Sequence, residues 1–217
     1  MTIVCLFLSL KYVKKESKDI KEALQYLNET VIEPPKIAIT FDDGPSATCT
    51  PRLLDELKKR QIKATFFLIG ENVKKNPEIT KRICEEGHLI GNHTYHHIEI
   101  THVTDAEAKK ELESTNNLIF EITGKEVEYM RPPFGLWQKD LELGVPVFPV
   151  MWSVDPLDWT TENVDEIVNK VVTKVKENDI ILLHDCYTTS VEAALRIIDI
   201  LQADGYEFVT VDQLILN

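Results

Sequence analysis

The sequence is short of positive charge. Against 24 Lys and Arg stand 36 Asp and Glu, a formal net charge of -12 over 217 residues. Phosphate recognition needs a clustered basic face, so nucleic acid is excluded as the main partner. The same balance gives no pull toward a strongly anionic polymer, and a neutral or weakly charged substrate fits better. Cysteine is sparse as well. Cys5, Cys49, Cys84 and Cys186 are scattered and form no Cys-x-x-Cys pair. That spacing excludes a thiolate zinc site, a thioredoxin-type motif and a disulfide framework, and leaves buried free thiols as the expectation. Prolines and glycines are dispersed, so no low-complexity tract exists, and no internal repeat is visible. The chain has no Gly-x-Ser-x-Gly elbow, no Walker loop and no Gly-x-Gly-x-x-Gly fingerprint, which removes three common catalytic classes.

Long apolar runs are also missing. The strongest, Thr2 to Leu10, is followed by Lys11, Lys14 and Lys15. It is shorter than the roughly 18 residues of a spanning helix, and it lacks a basic leading region and a small-residue cleavage site. Two readings stand: the remnant of a membrane anchor whose start lies upstream, or an ordinary strand. From Lys14 to Glu33 the chain is charged and helix-prone, and Pro34-Pro35 ends it. Residues 1–35 are therefore expected to form an apolar segment with a helical stalk or linker, and residues 36–217 the main domain. That span is long enough for one domain with a sizeable core.

Beyond Pro35, short apolar runs alternate with helix-periodic stretches. Expected strands are Ile37–Phe41, Ala64–Ile69, His88–Gly91, Val127–Met130, Val145–Trp152, Asp179–Leu183 and Glu207–Val211. Expected helices are Pro51–Arg60, Asn76–Glu86, Asp105–Thr123, a short one near Trp137–Leu143, Glu162–Glu177 and Val191–Ala203. Fully apolar strands separated by helices mark a parallel sheet covered by helices. Seven or eight such units predict an α/β fold, a closed or nearly closed (β/α) barrel, with an open doubly wound sheet as the alternative. In either fold, functional residues gather beyond the carboxyl ends of the strands.

Polar residues recur at those ends. Asp42 and Asp43 stand on a Gly-Pro turn after the first strand, where burial demands a compensating cation, metal or donor. Gly91-Asn92-His93-Thr94-Tyr95-His96-His97 follows the third. His93 and His97 have the spacing of one face of a helical turn, and His93 with His96 is geometrically open too. Two imidazoles and one carboxylate make a common divalent-metal site. Arg131-Pro132-Pro133-Phe134-Gly135 places an arginine on a proline-stiffened turn, suited to orienting a carboxylate beside a backbone donor for an oxyanion. Asp155, Asp158 and Trp159 follow the fifth strand, and His184-Asp185 the sixth. His88 and His102 have no partner at ligand spacing and are read as structural.

With these five segments in order, the chain resembles the polysaccharide deacetylase family, carbohydrate esterases sharing a NodB homology domain. The likeness runs from about Lys36 to the C-terminus and rests on Thr-Phe-Asp-Asp-Gly-Pro, His-Thr-x-x-His, Arg-Pro-Pro-Phe-Gly, Asp-Trp and Leu-x-His. It implies a distorted, TIM-like (β/α) barrel and metal-dependent removal of N-acetyl groups from N-acetylglucosamine polymers such as peptidoglycan or chitin-like chains. O-deacetylation of acetylated xylan and an idle carbohydrate-binding paralogue are the alternatives. By the same resemblance Asp42 is the general base, oriented by Arg131, and Asp43, His93 and His97 hold the metal. Zn2+ is the default, with Co2+ or Ni2+ as alternatives. His184 is the general acid, oriented by Asp158; the backbone near Phe134 helps hold the oxyanion; Trp159 and Leu182 line the acetyl pocket. Phe134 departs from the family's frequent tyrosine, which matters little if its backbone acts. The substrate class implies an extracellular or cell-surface location.

Overall fold

A computed structural model describes Lys18, Lys21 and residues 33–137 and 145–215 of the chain. The expected N-terminal apolar segment, its stalk and nearly all of the expected helix near Trp137–Leu143 lie outside the described residues. By internal contacts the chain divides into a unit over Met1–Pro34 and a unit over Pro35–Asn217; the second carries the fold.

Its strands are β1 (Lys36–Gly44), β2 (Thr65–Leu68), β3 (Leu89–Asn92), β4 (Tyr129–Met130), β5 (Phe148–Pro149), β6 (Ile180–His184) and β7 (Glu207–Val209). All pairings are parallel, in the order β5-β4-β3-β2-β1-β6, with β7 on the first half of β1. The residues after β5 close the ring. Val150 N–H donates to the Met130 carbonyl at 2.8 Å, and further along the segment Val154 N–H donates to the Ile180 carbonyl and Leu182 N–H to the Val154 carbonyl. One short segment thus pairs with β4 at its start and β6 at its end. The architecture is a distorted parallel (β/α) barrel of seven strands, not an open sheet.

Helices α1 (Thr50–Arg60), α2 (Gly70–Lys75), α3 (Pro77–Glu85), α4 (Asp105–Thr123), α5 (Val164–Val172), α6 (Thr188–Ala203) and α7 (Val211–Ile215) follow the strands. Their ends follow ordinary chemistry. Proline stands in the first turn of α1 and α3, where its missing N–H costs nothing. Thr104 and Glu107 form a reciprocal capping box on α4, and Gly124 ends it at φ 68°. Two helices were not expected. Gly70 opens α2 rather than merely ending a strand, and α7 starts where the last strand was expected to continue. The fifth expected strand shrinks to Phe148–Pro149 because the chain there turns from one neighbour to the other.

Strand alternation sorts the core into two faces. Ile37, Ile39, Phe41, Phe66, Leu68, Ile181 and Leu183 pack outward against the helices in the main cluster, while Ala38, Phe67, Tyr129 and Val150 form a second cluster with Val211. The alternate residues of β1 are Ala38, Thr40 and Asp42. The inward face therefore runs from apolar at its base to ionisable at its carboxyl end. His88 is buried before β3, where its Nδ1 accepts from Ala64 N–H at 3.1 Å, a structural role. Cys49, Cys84 and Cys186 are free. Among the described residues no helix is long and apolar enough to cross a membrane.

Candidate active site

Parallel register assembles the site. Asp42 sits opposite His184 on one side and Phe67 on the other. Adjacent strands lie about 4.8 Å apart, so a carboxylate and an imidazole from distant sequence face one cleft. Asp42 is 3% exposed. Its Oδ1 accepts from Arg131 Nη1 at 2.8 Å. Arg131 is itself fully buried. It also donates to Thr40 Oγ1 at 2.7 Å and to the Val150 and Met151 carbonyls at 3.1 and 3.2 Å, and its guanidinium lies 4.2 Å over the Phe67 ring. Burial pulls the Arg131 pKa down, and the charge and hydrogen bond of Asp42 oppose that pull. Gly91 is required beneath this stack: a Cβ there would stand 2.4 Å from Phe67 Cδ1.

Asp43 turns away from its neighbour. Its φ is 69°, in the left-handed region. Asn72 Nδ2 donates to its carbonyl at 2.8 Å, and Ile69 N–H to the Gly44 carbonyl at 3.0 Å, which hold the turn. The two acids therefore favour different partners, although Asp42 Oδ2 still lies 3.8 Å from His93 Nε2. Asp43 Oδ1 lies 3.3 Å from His93 Nε2 and 3.4 Å from His97 Nε2. His93 Nδ1 is 2.7 Å from the Arg131 carbonyl. That contact assigns the proton to Nδ1 and leaves the Nε2 lone pair facing Asp43.

These three side chains fit a divalent metal. One ligand atom from each lies within 4.8 Å of the others. Asp43 Oδ1 is buried without a hydrogen-bond partner, an unsatisfied acceptor that a cation would satisfy. Burial opposes ionisation of Asp43, yet the nearby imidazoles of His93, His184 and His97 take its pKa below the usual carboxylate value. Burial, then the charge of His93, lowers the pKa of His97 and favours the neutral, ligating imidazole.

The residues from His93 to His97 do not form a helical turn, contrary to the spacing argument. Thr94 and His97 take φ of 61° and 57°, so the two rings converge through a left-handed loop instead. His96 points elsewhere, its Nδ1 2.6 Å from Glu111 Oε1.

Across the cleft, Asp158 receives His184 twice. The backbone N–H donates to Oδ2 at 2.9 Å and Nδ1 lies 2.8 Å from Oδ1, which leaves Nε2 toward the cavity. Burial disfavours the charged imidazole, but the hydrogen bond and charge of Asp158, helped by Asp42 and Asp43, push the His184 pKa up to about 9. The cleft has a volume of about 420 Å³. Besides the groups above, Phe134, Trp159 and Leu182 line it as expected, joined by Pro132, Trp152, Asp155, Leu157 and Tyr187. Phe134 is at φ 61° and stacks edge-on against His97 at 4.8 Å. Asp155 Oδ1 accepts from Leu157 N–H at 2.7 Å.

Sequence reasoning missed two residues, Tyr187 and Glu111, and noted Asp185 at a strand end without giving it a role. Tyr187 carries no local motif. Asp185 is fully buried behind Gly44, accepts from Thr50 Oγ1, and is pushed up to about 7 by burial. Glu111 lies in the middle of α4. Its signal is a misfit of pattern: the buried stripe of α4 includes Ala108, Leu112, Thr115 and Ile119, and Glu111 falls three after Ala108 and four before Thr115.

A parallel barrel with an Asp-His-His cluster facing an Asp-His pair defines a class with known relatives. The polysaccharide deacetylase family model matches residues 29–145. A peptidoglycan-N-acetylglucosamine deacetylase, PgdA of Listeria monocytogenes, is 38% identical over 94% of this chain and 46% of its own length. A peptidoglycan-N-acetylglucosamine deacetylase of Bacillus cereus is 40% identical over 82% of this chain and 87% of its own. The solved structure of the peptidoglycan deacetylase PdaC from Bacillus subtilis superposes with a TM-score of 0.81 at 39% identity, covering 83% of this chain and 90% of that one. This chain belongs to the polysaccharide deacetylase family. It spans about half the length of the Listeria relative.

Proposed function

We propose that this chain is a metal-dependent hydrolase that removes N-acetyl groups from N-acetylglucosamine-containing glycan, with peptidoglycan as the first candidate substrate, and releases acetate. The observation that carries the reading is the division of labour between the two adjacent acids: Asp42 is engaged by Arg131, and Asp43 faces His93 and His97. The names of the relatives favour peptidoglycan over other glycans. A fold alone would serve an idle binding protein equally well, whereas a complete base, ligand trio and acid argue for turnover.

Asp43, His93 and His97 would hold the ion, with zinc the default for two histidines and a carboxylate and cobalt or nickel as alternatives. When bound, such an ion supplies Lewis acidity toward the acetyl oxygen and a water of lowered pKa. Arg131 occupies Asp42 Oδ1, so Oδ2 is the oxygen that takes the proton from the attacking water. The backbone N–H near Phe134 helps hold the oxyanion. His184, protonated at neutral pH and fixed by Asp158, gives its Nε2 proton to the sugar nitrogen as the C–N bond breaks. The amine leaves neutral rather than as an anion. Leu182 and Trp159 enclose the acetyl methyl. A glycan of this kind lies outside the cytoplasm, so the proposal carries an extracellular or cell-surface location with it.

Acetate release tests the reading. Purified protein is assayed on peptidoglycan, N-acetyl chito-oligosaccharides and acetylxylan, after chelation and after return of zinc, cobalt or nickel. Asp42→Asn is expected to release no acetate while still binding one metal ion. A variant of full activity would remove Asp42 as the base. Acetate from acetylxylan alone would move the activity to ester cleavage. Glycan binding without acetate under any metal would make the chain an idle paralogue.

A further inference from the structure

The loop that presents His97 is held in an unfavourable shape, and a side chain from α4 shares its restraint with the first turn of α2, whose Gly70 and Glu71 N–H groups donate to the Thr94 and Tyr95 carbonyls at 3.0 Å. Thr94 and His97 both occupy the left-handed region, where a Cβ crowds the following carbonyl. Local sequence gives little help: Thr94 is a β-branched residue that rarely enters this region, although histidine does so more readily. Some restraint is local. Thr94 N–H donates to Asn92 Oδ1 at 2.7 Å and Ile98 N–H to Thr94 Oγ1 at 3.2 Å. The residues between, however, turn their donors outward toward α4. There Glu111 Oε2 accepts from both Tyr95 N–H at 2.9 Å and His96 N–H at 2.8 Å, while Oε1 meets His96 Nδ1 at 2.6 Å. The Glu111 side chain is only 14% exposed while that of His96 is 55% exposed, so water screens the contact with the His96 ring more than the one with the Tyr95 N–H.

We infer that Glu111 is a positioning residue for metal binding: its carboxylate clamps Tyr95 and His96 so that His97, the next residue, is aimed at Asp43. The inference rests on the proposed metal site. It assigns a task to a residue sixteen positions from Tyr95 in the chain. It also explains which histidine serves. His93, His96 and His97 are all near the site in sequence, and Glu111 withdraws His96 from it. Glu111 does not touch the ligand atoms, so its effect must pass through the backbone of the loop. Outer partners of metal ligands change affinity by about 10–100-fold when removed. Glu111 is one step further out, and the lower end applies.

The test is zinc titration by calorimetry on the full chain, stripped by chelation, with far-UV circular dichroism as the check on folding. Glu111→Ala is expected to weaken zinc by about tenfold. Glu111→Gln keeps one oxygen for the two backbone N–H groups and should stay within about threefold of wild type. His96→Ala keeps the whole clamp on the backbone and should bind like wild type. Glu111→Asp withdraws the carboxylate by one methylene and should behave like Glu111→Ala, which covers the case in which the alanine variant does not fold. Cobalt spectra give a second readout: altered ligand-field bands in the Ala and Asp variants, unaltered in Gln and His96→Ala. A folded Glu111→Ala or Glu111→Asp with wild-type zinc affinity and cobalt bands would overturn the inference. Wild type that takes up neither ion would overturn the metal reading itself, and this one with it.

Discussion

The pair formed by Asp158 and His184 can be tested without turnover. Asp158 is 1% exposed and His184 is mostly buried, so water screens their contact poorly. A rise in the His184 pKa from 6.5 to about 9 corresponds to roughly 3 kcal/mol in favour of the imidazolium. Asp158→Asn removes the charge and places an amide N–H2 against either the His184 backbone N–H or Nδ1. The imidazole is then left with burial, which disfavours its charge, against the weaker pull of Asp42 and Asp43, and its pKa should fall toward 6.5. Imidazole resonances followed by NMR in metal-stripped protein report this directly. Linkage fixes the sign for stability. The folded pKa is raised, so the contribution is fully present below about pH 6.5 and is lost as pH rises through 9. Wild type should therefore exceed Asp158→Asn most at pH 6 in urea unfolding, with the gap closing toward pH 10. Zinc should lower the wild-type value, because a cation at Asp43 offsets part of the carboxylate field. A wild-type His184 that titrates near 6.5 in stripped protein, or one unmoved by Asp158→Asn, would refute the reasoning.

Two further predictions concern the buried stack. Arg131→Met leaves Asp42 buried beside no cation and should cost about 3–5 kcal/mol in urea unfolding, with part of that loss recovered by adding Asp42→Asn; a loss under about 1 kcal/mol would show that the pair does not support the fold. Gly91→Ala drives a methyl into Phe67 and should cost about 1–3 kcal/mol by thermal or urea unfolding, partly relieved by Phe67→Leu in the same chain; no loss would mean that the ring can move freely under the guanidinium.

Much of this was legible in the sequence because it depends on short-range pattern. Apolar runs mark β1, β2 and β6, and ionisable residues just past apolar runs mark the rim of the barrel. The expected α4, Asp105 to Thr123, matches the structure because its capping box and its terminal glycine are both local signals. What was illegible depends on distance. Strands β4 and β5 were expected, but their lengths of two residues each are set by where neighbours offer hydrogen bonds. The choice of His97 over His96 is made by Glu111, which no local rule links to the loop. Asp185 meets Thr50 only once β6 lies beside β1, so its burial could not be read from the adjacent His184.

Arg131 donates to the carbonyls of Val150 and Met151, in the segment that passes from β4 to β6, as well as to Asp42. The residue that holds the candidate base is thus also a fastening on the seam of the barrel. A descendant chain that gave up catalysis could discard the histidines at little structural loss, and Asp42 only by leaving a buried guanidinium without its carboxylate, but it could not discard the arginine without refitting the seam. Among such sequences the guanidinium would outlast the chemistry, and its presence alone would be a record of how the barrel shuts, not a sign that it still turns over.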